Sequence, residues 1–185
     1  MERGILFAAL VALIGSASVS CRRVTDPAQS VAVDSLITTL EAARLTLNEL
    51  DTQRYAAADS LLQRHRALFL KRFSDTLDKA DAALLGDQFV QLRQATRRAN
   101  DHRNVARAVD HGTARLKLLK QDLAAAAWPQ EEVTRALLDE TNATVGIEAS
   151  VMQVMEAYQT NSRALERQPQ VDSLLTDTLP KRRTR

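Results

Sequence analysis

Val33-Asp34-Ser35-Leu36-Ile37-Thr38-Thr39-Leu40-Glu41-Ala42-Ala43-Arg44-Leu45-Thr46-Leu47-Asn48-Glu49-Leu50 is the stretch that decides the fold. Its apolar positions Val33, Leu36, Leu40, Ala43, Leu47 and Leu50 follow one another at spacings of 3, 4, 3, 4 and 3. An α-helix returns to the same side at that interval, so these residues form an a/d seam, with Ile37 and Leu45 widening the apolar face. Asp26-Pro27 opens the helix, the aspartate as N-cap and the proline at the first helical position, where its missing N–H costs nothing. Asp51-Thr52 can end it and cap a second helix showing Tyr55, Ala58, Leu62, His65, Phe69 and Phe73. So short a connection predicts that the two helices are antiparallel neighbours.

The same texture continues downstream. Ser74-Asp75 is a candidate cap for a third helix with Leu77, Ala80 and Leu84, kinked or interrupted at Gly86-Asp87 and resumed through Phe89, Leu92, Thr96 and Ala99. The polar run from Asn100 to Asn104 reads as a turn. Beyond it Val109, Gly112, Leu116, Leu119, Leu123 and Ala126 repeat the 3, 4, 3, 4, 3 spacing, and glycine in such a seam implies close helix approach. Trp128-Pro129 ends this helix and starts a fifth, because the residue before proline avoids the α region. That helix is expected to run to Arg167, about 55–60 Å, with Val133, Leu137, Ile147, Val151, Val154, Tyr158 and Leu165 in register. Glu140, Thr144 and Asn161 occupy seam positions within it. Pro169 is expected to close it, leaving the remainder as a tail.

Composition agrees. Five glycines and four prolines in 185 residues are too few for a turn-rich β protein. Tyr55, Phe69, Phe73, Phe89, Trp128 and Tyr158 are the only aromatics after residue 20, which suits narrow Leu, Val and Ala seams. The expectation is an all-α antiparallel helical bundle or set of helical hairpins, with coiled-coil-like seams and about five helices. With 25 basic against 23 acidic residues there is no global field to attract nucleic acid.

The first residues have a different texture. Arg3 precedes an apolar run from Ile5 to Ile14, and a small-residue stretch leads from Gly15 to the sole cysteine, Cys21. Ten apolar residues are about half of a membrane-spanning helix, so the segment reads as an export signal over residues 1–20. Val19-Ser20-Cys21 resembles the lipobox of bacterial lipoproteins, although Ser18 stands where that family usually has an aliphatic residue. The resemblance implies cleavage before Cys21 and acylation of its thiol, with residues 21–27 as linker. Arg22, where inner-membrane retention would favour aspartate, implies outer-membrane sorting, the domain facing the periplasm. General signal-peptidase cleavage, leaving a soluble periplasmic protein, is the alternative. A lone cysteine cannot form an internal disulfide, and acylation would remove a free thiol from an oxidising compartment. The whole pattern, residues 28–168 as bundle and 169–185 as basic tail, resembles small helical bacterial lipoproteins.

No motif for catalysis stands out. His65, His102 and His111 are never three or four residues apart, so no helix face offers a two-histidine metal pair. Asp101-His102 and Asp110-His111 read as solvated, since adjacent helical residues point different ways. His65, on an apolar stripe, reads as a core-edge histidine bonded to a neighbour. Haem attachment lacks C-x-x-C-H, Met152 and Met155 read as core filler, and no cofactor is expected. Leu85-Gly86-Asp87-Gln88-Phe89 resembles a fragment of a tetratricopeptide repeat, but Arg98 and His102 fill its later small and aromatic positions. The candidate interaction residues are therefore Glu140 and Thr144 in the fifth helix and Lys181, Arg182, Arg183 and Arg185 at the C-terminus, the last four able to meet phosphates or an acidic partner. The expected role is non-catalytic and structural or protein-binding, anchored to the membrane through lipid on Cys21 and meeting an envelope protein. The alternative is a small-ligand or metal-binding bundle using His65 or His111 with nearby carboxylates; an enzyme with a diffuse site is a third.

Overall fold

A computed structural model describes residues 26–72 and 77–176. Among them are six helices and no strand: α1 (Pro27–Asn48), α2 (Gln53–Arg72), α3 (Lys79–Arg93), α4 (Ala95–Ala124), α5 (Gln130–Glu166) and α6 (Gln168–Thr176). The all-α bundle expected from the seams is the fold. Cys21 and Lys181 to Arg185 lie outside the described residues.

The caps act as their residue types require. Asp26 Oδ1 accepts the Ala28 N–H at 2.9 Å, and Asp51 Oδ1 accepts that of Gln53 at 3.0 Å. Asp78 caps α3, accepting from the Ala80 and Asp81 N–H groups at 2.9 Å each, while Ser74 and Asp75 lie outside the described residues.

The connection between α1 and α2 does not make a hairpin. The two helices do not pack on each other, and both lie along α4 and α5. Lys120 reaches Asp34 at 2.6 Å and Lys117 reaches Glu41 at 3.5 Å, while further along Tyr55 meets His102 and Thr96 bonds Asp59. As α1 and α2 advance from residue 34 to 59, their partners on α4 recede from 120 to 96, so α1 and α2 run end to end, antiparallel to α4. The physical reason is that the seam of α2 continues that of α1 across residues 49–52, so one partner surface buries both. Similarly α3 and α4 are separated only by Gln94, and α5 and α6 only by Arg167. The molecule is thus three interrupted rods of nearly equal length, residues 27–72, 79–124 and 130–176, each about 70 Å if straight. The third returns along the second, as Arg115–Glu140, Arg98–Asn161 and the Gln88–Ala164 contact show.

Three further expectations need correction. Gly86 lies inside α3 without a break, and the run Asn100 to Asn104 is mid-helix in α4, since the interruption falls at Gln94. Pro169 sits in the first turn of α6, where it lacks only an N–H that would be unpaired anyway, so the chain folds on past it. Val171 and Leu175 are fully buried against Leu85, and a tail beginning at residue 169 is wrong through Thr176.

The two ends of the bundle differ in content. At one end Val33, Leu40, Leu47, Val109, Leu116, Val151 and Val154 belong to a single apolar cluster. Leu45 is exposed outside it. Gly112 lets α1 and α5 close on α4: a Cβ there would stand 2.9 Å from Leu40 Cδ1 and 3.1 Å from Ile147 Cδ1. At the other end the apolar clusters are small, and buried polar side chains stand between them.

Candidate functional site

Glu140 and Thr144 are internal. Arg115 donates to Glu140 from Nε at 2.7 Å and Nη2 at 3.1 Å, a bidentate pair across the α4–α5 seam in which the glutamate is 18 % exposed. Thr144 is buried among the seam residues. Both therefore belong to the packing between rods, the register use of a seam polar residue. Of the two methionines, Met155 packs against the core while Met152 is exposed.

The histidines separate into three environments. His65 is fully buried on α2 and lies 2.9 Å from Asp172 on α6 through Nε2. A carboxylate can only accept, so Nε2 carries the hydrogen, and Nδ1 is left buried with no partner. Asp172 also receives Arg64 Nη2 at 2.7 and 2.5 Å and Gln168 Nε2 at 3.3 Å. Burial pushes His65 below its ordinary value against the upward pull of the Asp172 hydrogen bond and charge. Burial pushes the Asp172 carboxyl up, but the bonds from His65, Arg64 and Gln168 outweigh it and the net direction is down. His102 is buried and not solvated as its neighbours in sequence suggested, because the register of α4 starts at Ala95 and turns position 102 inward. Its Nδ1 lies 3.3 Å from the Tyr55 hydroxyl, and burial lowers its pKa. His111 is exposed. Among the described residues no three His, Cys, Asp or Glu side chains come together to hold a metal ion.

Around Tyr55 and His102 the rods meet through polar groups. Tyr55 packs edge-on against both His102 and Tyr158, and burial, then Tyr158, push its pKa up to about 12. One helical turn from His102, Arg98 donates from Nη1 to the Gln91 carbonyl and to Asn161 Oδ1, both at 3.1 Å. It thereby ties α3, α4 and α5 at the Gln94 interruption. Its remaining donors, Nε and Nη2, have no acceptor among the described residues, and no carboxylate pairs with it. Burial lowers its pKa.

Arg98 also lines a cleft of about 190 Å³ between α4 and α5. Asp101 and Asn104 share the α4 wall, Gln153 and Ser150 stand on α5, and Val105 and Val154 contribute apolar surface. Asp101 is occupied by Arg97, 3.7 Å away, and Asn104 accepts from Arg107 at 2.6 Å. Arg98, Asp172 and Gln88 were not singled out as functional from sequence. Only Gln88 carried a signal: the 3, 4 register runs unbroken from Leu85 through Gln88, Leu92, Ala95, Ala99 and His102 to Ala106 and Val109 once polar residues are admitted to the seam, whereas Arg98 and Asp172 fall outside it. No protein-family model, curated protein or solved structure matches the chain.

Proposed function

We propose that the protein is a lipid-anchored, non-catalytic component of a bacterial cell envelope, tethered through acylated Cys21, whose helical rods meet another envelope protein along the outer face of α5. The observation that carries this is a stripe of exposed apolar side chains. Leu138, Val145 and Met152 are 59, 59 and 58 % exposed and stand at seven-residue intervals, opposite the seam of Val133, Val151 and Val154. Scattered exposed apolar residues are ordinary, but three in line over about 21 Å of one helix form a face of the kind that enters a partner's groove. Glu148 and Glu156 flank the stripe, which favours a partner with a basic rim. The export-signal reading of residues 1–20 and the lipobox-like residues before Cys21 support the location.

A photoreactive residue at Val145 in intact cells tests this. A discrete protein adduct at Val145, absent from the same probe at Gln121 on the exposed side of α4, is the expected result. Cys21→Ser should release the protein from membranes and abolish the adduct, and mass spectrometry of the native N-terminus should find an acylated cysteine. Equal labelling at Val145 and Gln121, or an unmodified N-terminal thiol, would overturn the respective halves of the reading.

A further inference from the structure

We propose that the cleft between α4 and α5 is a binding site for a small carboxylate of amino-acid size, with Arg98 receiving the carboxylate and Asp101 the amine. The proposal is independent of the contact face on α5. Arg98 leaves Nε and Nη2 without a protein acceptor. The two acceptors it has, a backbone carbonyl and an amide oxygen, are neutral and both are taken by Nη1. Its Nε and Nη2 form the edge of the guanidinium that receives a carboxylate through two parallel hydrogen bonds. That edge is open to solvent, so a carboxylate can take it up in place of water while Nη1 holds the guanidinium in position.

The surroundings narrow the ligand. About 190 Å³ corresponds to roughly six water volumes and falls below the range of drug-sized pockets. Asp101 stands one turn from Arg98 on the same wall, paired only with exposed Arg97 at 3.7 Å. It disfavours a second negative charge and offers an acceptor to an amine. Val105 and Val154 supply apolar surface for a short side chain, and Gln153 can bond a carboxylate or amide at the mouth. Phosphate, with more charge and no apolar part, fits less well. Arg98 braces three helices, but that role uses Nη1 alone and accounts for neither the free edge nor the cleft beside it.

Three probes sharing a four-carbon skeleton separate the contributions: butyrate, L-2-aminobutyrate and butylamine, titrated calorimetrically into the full-length chain. L-2-aminobutyrate should bind saturably in the millimolar range or tighter, butyrate about tenfold more weakly, and butylamine not measurably. Asp101→Asn should remove the advantage of the amino acid while leaving butyrate unchanged. Arg98→Lys keeps the charge but loses the fork, and should weaken both acids about tenfold or more. Should Arg98→Lys fail to fold, Gln153→Trp fills the cleft from an exposed position without touching the brace; it should abolish binding at unchanged thermal midpoint. Absence of saturable binding of either acid, or binding indifferent to Gln153→Trp, overturns the proposal.

Discussion

Replacing Gly86 and Gly112 in turn by alanine sets one chemical change in two surroundings. Inside a helix glycine costs about 0.8–1.0 kcal/mol relative to alanine. Nothing lies within 4 Å of where a Cβ would stand at Gly86. Gly86→Ala should therefore stabilise the protein by about 1 kcal/mol and raise Tm by roughly 2–4 °C for a domain of this size. At Gly112 the same gain meets the 2.9 and 3.1 Å approaches of Leu40 and Ile147. Those atoms are ends of flexible side chains and can give way, but they belong to a packed seam, and overpacking there costs about 1–3 kcal/mol. The net expectation for Gly112→Ala runs from neutral to about 2 kcal/mol destabilising. The gap between the two variants is the firmer quantity, because the propensity gain is common to both. Urea unfolding with a shared m-value measures it. In a Leu40→Ala background the new methyl group fills part of the cavity, so Gly112→Ala should become favourable, a coupling that a double-mutant cycle reads directly. If Gly112→Ala stabilises as much as Gly86→Ala in the native background, α1 and α5 do not close on α4 at this point and the packing of the rods is wrong.

Ala126, with φ 49°, ends α4 in the left-handed region, where the Ala126 N–H bonds the Leu123 carbonyl and the Ala127 N–H that of Asp122. Glycine is the usual residue there, and Ala126→Gly should stabilise by about 1 kcal/mol in the same urea assay. Glu140→Leu should cost only about 1 kcal/mol, because Arg115 is half exposed, and pairing it with Arg115→Met should restore the loss. Stability should also depend on pH. The folded pKa values of His65 and His102 are lowered chiefly by burial, so the unfolded chain takes up protons first and stability falls as pH drops below about 6.5. Asp172, also lowered, adds its own loss only at more acidic pH, as its carboxylate protonates. His65→Gln combined with His102→Gln should flatten the decline between pH 7 and pH 5 measured by urea midpoint; an undiminished slope would place the titrating groups elsewhere.

What could be read from the sequence was what a local period carries. The seams around Leu40 and Leu116, the Asp26 and Asp51 caps, the close approach at Gly112 and the fifth helix from Pro129 to Arg167 all follow from spacing and cap chemistry. Where the reading failed, polarity was mistaken for a boundary. Asn100 to Asn104 is polar, yet His102 within it points inward to Tyr55, and the helix holds because both sides of the run keep one register. The residues after Pro169 were read as tail because proline usually stops a helix; here it starts one, and Val171 and Leu175 bury against Leu85. Glu140 and Thr144 were correctly singled out as seam residues, but only their partners distinguish a register device from a contact face. The Arg98 cleft was invisible because it joins residues about 50 positions apart, and no local period links such positions.

The arrangement of α1 and α2 end to end is the claim on which the three-rod architecture rests, and a distance between spin labels decides it. Val31 near the start of α1 and Leu70 near the end of α2 are both exposed, so labels there disturb no packing. In a Cys21→Ser background, which removes the only native thiol, Val31→Cys and Leu70→Cys can be labelled and measured by pulsed dipolar spectroscopy. Helices laid end to end place these positions roughly 55–60 Å apart at 1.5 Å per residue. A distance in that range is the expected result. A hairpin would bring the two helices within about 10 Å of each other along their length, and a short distance between the labels would contradict the architecture described.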